Sequence, residues 1–173
     1  MLQTAPFRVE TVRHYYVERY LQEFGANRHP GPTVPPEQLN FDLHDTGKAI
    51  SFLKTNLQNL FSNYRAGAIT NTVLAYQASH AAWEILISIG SIHGYMLTPS
   101  AVADEARREL DRMNYPFERR LRPVSERIAD EYPDASQGTL ASLQDVWLHA
   151  LQDWRFSFQA RADADQISFS GYP

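Results

Sequence analysis

Apolar residues recur along this chain at intervals of three and four, and no sustained every-other-residue alternation competes with them. Val9, Val12, Tyr16, Tyr20 and Phe24 predict a helix over 7–24, with Gly25 as its stop. Ile50, Leu53, Leu57, Leu60, Phe61 and Tyr64 predict a second over 37–64, weakened near Asp45-Thr46-Gly47. The third, over 66–92, is apolar on nearly every side and belongs at the centre of a bundle, with Gly90 and Gly94 loosening its end. Thr98 as N-cap and Pro99 at the first position open a fourth helix that reaches about Asn114. A fifth is expected over 116–132, bent or split at Pro123. Leu140, Leu143, Trp147, Leu151, Trp154 and Phe158 predict the last over 139–163. The expected fold is all-α: a single helical domain over 1–173, five to six helices around a central apolar one. A proline-rich surface loop at 26–36 and a C-terminal arm at 164–173 complete it.

Composition narrows the chemistry. With no cysteine, the chain has no disulfide framework, thiol catalysis or cysteine-ligated metal. The most apolar run, Val73 to Ile92, is interrupted by Tyr76, Gln77, Ser79, His80, Glu84 and Ser88, which is too polar for a bilayer span. No basic segment followed by an apolar run opens the sequence, so a cytoplasmic location is expected, with no membrane partner. A net charge of −4 disfavours generic nucleic-acid binding. Of the 16 basic residues only Lys48 and Lys54 are lysines. The rest are arginines, which pair in bidentate fashion with carboxylate or phosphate.

Leu43-His44-Asp45-Thr46-Gly47-Lys48 is the stretch richest in chemistry. An imidazole and a carboxylate suit a divalent cation such as manganese, iron, zinc or magnesium. Such an ion lowers the pKa of bound water. Lys48 lies one helical turn beyond His44 and would face a substrate phosphate if the helix is continuous there. A second reading makes Asp45 or Thr46 the N-cap of the helix carrying Ile50 and Leu53.

This motif resembles the core of the HD-domain metal-dependent phosphohydrolases. The resemblance implies an all-helical bundle acting on a phosphoester or nucleotide. It also implies His14, His44, Asp45 and one of Asp104 or Asp165 as metal ligands, with His80 serving a second metal. Asp45 and Lys48 would carry the catalytic roles. The alternative is a core role for His80, which shares a helix face with Ile69, Val73, Tyr76, Trp83 and Ile87. His149 is expected to be solvated, and His29 and His93 fall in expected loops.

Arg107, Arg108, Arg112, Arg119, Arg120 and Arg122 form the densest basic region, interleaved with Glu105, Glu109, Asp111 and Glu118. This reads as a solvated, salt-bridged hairpin, or as a surface for phosphate or an acidic partner. Tyr64-Arg65-Ala66-Gly67-Ala68 leading into Ala75 to Ala82 is also similar to the central helix of HEPN-type bundles. That likeness implies a non-catalytic interaction or self-assembly subunit, whose partner is another protein or a second copy of this chain.

Overall fold

Tyr20, Phe24, Trp83 and Trp147 are the bulkiest side chains that the fold removes from water, and the bundle is organised around them. The computed structural model describes residues 9–28, 36–96, 101–113, 117–154, 156–159 and 166–169. It is an all-α bundle of α1 (Val9–Arg28), α2 (Pro36–Arg65), α3 (Asn71–Met96), α4 (Ala101–Met113), α5 (Glu118–Glu131) and α6 (Gln137–Asp153). A short antiparallel hairpin, β1 (Phe156–Gln159) with β2 (Gln166–Phe169), follows. The expected proline-rich loop and the Thr98-Pro99 helix start fall outside the described residues, apart from the ends of α1 and α2. No helix among the described residues is long and apolar enough to cross a membrane.

The apolar circumference of α3 has its predicted consequence. The helix packs against all five others, burying Leu74, Ala78, Trp83, Ile85, Leu86 and Ile89 completely. Small residues at Ala78, Ala81 and Ala82 let neighbouring helices approach, while aromatic rings fill the wider gaps. Tyr16 stacks on Trp83 at 5.8 Å, and Trp83 stacks on Trp147 at 5.5 Å, so one aromatic column links α1, α3 and α6. The outer helices follow the same logic. Ala103, Ala106 and Leu110 of α4 face inward, as do Leu121, Val124 and Ile128 of α5.

Several expectations need correction. Gly25 does not stop α1, which runs to Arg28. The glycine is there because a Cβ at position 25 would collide with the Tyr132 ring. Likewise α3 continues through Gly90 and Gly94 to Met96, because Gly90 admits the Tyr20 ring from α1. α2 is unbroken through Gly47, so Asp45 and Thr46 are interior to it and do not cap it. α5 is one helix despite Pro123. Arg119 and Pro123 are both exposed, so water can serve the carbonyl that the missing N–H leaves open.

The last helix ends at Asp153, ten residues before the expected end at Asp163. Part of the expected arm is strand: Phe156 pairs with Phe169 and Phe158 with Ile167, while the serines and glutamines pair with one another. α6 begins at Gln137, because Ser136 caps it by accepting a hydrogen bond from the Thr139 amide.

Candidate phosphate cleft and the placement of the histidines

The continuity of α2 sets the geometry of the motif. With 3.6 residues per turn, His44, Lys48 and Ser51 fall on one face. That face meets α4, and together they line a cleft of about 470 Å³ with Gly47, Glu109 and Arg112. A Cβ built on Gly47 would stand 3.5 Å from Glu109 Oε1, an ordinary contact, which shows how near α4's carboxylate lies to α2. Glu109 is nearly buried and accepts a 2.5 Å hydrogen bond from the exposed Arg112 guanidinium, one turn away. That bond holds the arginine at the cleft and raises its pKa above the ordinary value. Two cations, Lys48 and the Glu109-bound Arg112, therefore line the cleft with one carboxylate and the His44 imidazole.

The fold thus gathers residues nominated separately, His44 and Lys48 from the motif and Arg112 from the basic region. Among the described residues it does not gather Asp45, His80 or Asp104 there. Asp45 is exposed and does not line the cleft. Asp104 is exposed on α4 and pairs with Arg107 at 3.2 Å. The His14 side chain, on α1, and Asp165 lie outside the described residues. Among the described residues no three histidine or carboxylate side chains come together to hold a metal ion.

His80 stands elsewhere, in a second cleft of about 500 Å³ between α1, α2 and α3. Its Nδ1 bonds to the Tyr16 hydroxyl. Burial pushes its pKa below the ordinary value, against the opposing pull of Glu84. Its Nε2 is buried and has no hydrogen-bond partner among the described residues. Glu84, one turn on, is held by Arg19 of α1 through both terminal guanidinium nitrogens, at 2.5 and 3.3 Å.

The arginine-rich region is salt-bridged, as its interleaved charges imply. Arg108 pairs with Glu105, Arg120 with Asp153 across to α6, and Arg122 with Glu118 and Asp111. Arg107, Arg108 and Arg120 are largely exposed, where such pairs add little stability. Arg119 is exposed on α5. His149 is exposed as expected, its Nδ1 bonded to the Asp145 carbonyl.

The largest omission of the sequence reading is His93. It lies in α3, not in a loop, and is 2 % exposed. Its Nδ1 is 2.7 Å from Ser125 Oγ and its Nε2 is 3.1 Å from Glu118 Oε1. The Tyr20 hydroxyl extends the chain to Ser125 at 2.7 Å. The order serine, histidine, glutamate matches a nucleophile, base and orienting acid. Burial argues for a structural role instead, since Ser125 is 1 % exposed and Tyr20 occupies its oxygen. A signal was present: His93 falls seven residues after Leu86 and four after Ile89, on the buried side of a helix that continues past Gly90. No family model, curated protein or solved structure matches this chain.

Proposed function

We propose that the protein binds a phosphate monoester in the α2–α4 cleft. The observation that carries this is the meeting of Lys48 and Arg112, from different helices, at one concave surface whose single carboxylate is already engaged by Arg112. Lys48 supplies a mobile point charge, and Arg112 a planar fork that matches two phosphate oxygens. The Ser51 hydroxyl now donates to the Gly47 carbonyl at 3.0 Å and can turn to a ligand oxygen. His44 adds a third donor on the same helix face. The reading concerns a small ligand rather than a polynucleotide, because a net charge of −4 disfavours a polyanion.

The catalytic form of this proposal is a metal-dependent phosphohydrolase. Its metal would need ligands beyond His44, drawn from groups that the described residues do not bring to this cleft. Binding and hydrolysis are separable by experiment. Amide shifts at Lys48, Ser51 and Arg112 that saturate with glycerol 3-phosphate, and that weaken about tenfold in Lys48→Ala and Arg112→Ala, support the site. Equal shifts with sodium chloride at matched ionic strength would refute it. Release of phosphate from p-nitrophenyl phosphate only with added manganese would establish the catalytic form.

A further inference from the structure

The second cleft is built from different residues, and an argument from it stands independently of the phosphate site. On α3, Tyr76, His80 and Glu84 succeed one another at one-turn intervals and look into the same space. Opposite them α2 presents Asn56, Leu60 and Asn63, again one turn apart. The floor is apolar and aromatic, because Tyr16 lies between His80 and the Trp83 ring. The charges cancel locally, since Glu84 is clamped by Arg19. The cleft is thus electrically quiet, and a charged ligand gains little there.

The hydrogen-bonding character of His80 follows from its neighbour. The Tyr16 hydroxyl bonds to His80 Nδ1, and with the hydroxyl as donor the imidazole accepts there. A neutral imidazole that accepts at Nδ1 carries its own hydrogen on Nε2. That Nε2–H is the buried atom without a partner among the described residues. This donor belongs to a cleft that is also lined by carboxamides, which both donate and accept. The Tyr76 ring, 43 % exposed and 4.3 Å from the imidazole, provides a flat surface at the mouth.

We infer that the α1–α2–α3 cleft binds an uncharged planar heterocycle with a lactam edge, whose ring carbonyl accepts from His80 Nε2. The adjoining ring N–H donates to a carboxamide oxygen of Asn56 or Asn63, and the ring face lies on Tyr76. Nε2 is covered in the structure, so binding requires a side chain around it to move. A volume of about 500 Å³ holds one or two fused rings. Stacking and the paired edge bonds are the interactions by which proteins hold such rings.

The test is calorimetric titration of the whole chain with hypoxanthine and uracil, beside purine without the carbonyl, benzoate and glucose. The lactams are expected to bind at least about tenfold tighter than purine, because losing the carbonyl leaves the imidazole donor unpaired. His80→Phe keeps an aromatic body and removes the donor, and it should lower lactam affinity about tenfold while leaving purine unchanged. Should that variant fail to fold, Asn56→Ala with Asn63→Ala on the surface of α2 should lower lactam affinity in its place. Three results would each overturn the inference: no lactam binding at 5 mM (about −3 kcal/mol), equal affinity for purine, or tighter binding of glucose or benzoate.

Discussion

His93 Nε2 lies 3.1 Å from Glu118 Oε1 inside the bundle, joining the central helix to α5. Both side chains are more than nine-tenths removed from water. Glu118 is also bonded to Arg122 at 2.5 Å, and His93 is bonded through its other nitrogen to Ser125, which receives Tyr20 from α1. One polar chain thus ties α1, α3 and α5 together within the core. Truncating Glu118 to alanine strands the imidazole and is expected to cost about 3–5 kcal/mol, as when one partner of a buried pair is lost. Urea unfolding followed by circular dichroism measures it. A loss below about 1 kcal/mol, the range of an exposed pair, would show that the chain does not tie the helices.

The same carboxylate predicts how stability responds to acid. Burial alone would raise its pKa, but the hydrogen bonds from His93 and Arg122 outweigh burial and hold it below the ordinary value. The folded state therefore binds fewer protons than the unfolded chain as pH falls below the unfolded value of about 4.3. The contribution is complete above that value and is lost as pH drops through the lower, folded one. Urea midpoints should decline below about pH 4.3, and less steeply in Glu118→Gln, which has no carboxyl to titrate. Parallel slopes in the two proteins would assign acid sensitivity to other groups.

Gly90 and Gly138 should respond oppositely to alanine. A Cβ at position 90 collides with the Tyr20 ring, which is completely buried and bonded to Ser125. Gly90→Ala is expected to cost about 1–3 kcal/mol, the usual penalty of overpacking. At Gly138 on α6 the nearest atom, Ser136 Oγ, is 4.0 Å away. There alanine should be neutral or stabilise by up to about 1 kcal/mol, through helix propensity alone. Thermal melts of both variants decide it, and a neutral Gly90→Ala would mean that α1 and α3 are not in the contact described.

The sequence made the central helix legible because burial on most of its sides leaves an apolar mark along most of α3. Ends were harder to read. Gly25 and Gly90 look like punctuation from inside their own helices, and only the Tyr132 and Tyr20 rings show why they are there. Misplacing the end of α3 moved His93 into a loop and hid the polar chain. At α6, Trp154 and Phe158 fit a helical interval, which masked the alternation of Phe156-Ser157-Phe158-Gln159 and its counterpart Gln166-Ile167-Ser168-Phe169. Lys48 and Arg112 were each nominated for phosphate, but their meeting is a tertiary fact that no interval along the chain encodes.

The half-buried His80 provides a titration whose sign can be worked out in full. Burial lowers its pKa and Glu84 partly restores it. Because the folded pKa lies below the unfolded value near 6.5, the unfolded state takes up its proton first as pH falls. Stability from this group is present above about pH 6.5 and declines as pH drops towards the folded value. Replacing Glu84 with glutamine removes the restoring charge and leaves the Arg19 guanidinium nearby without its carboxylate. The imidazole should then titrate lower still. Ring carbon and nitrogen resonances of His80, followed by nuclear magnetic resonance from pH 4 to 8, measure both values. A higher pKa in Glu84→Gln would mean that the imidazole is governed by groups other than those packed around it. A ring nitrogen pattern with the proton on Nδ1 would reverse the direction of the Tyr16 bond and remove the donor from the cleft.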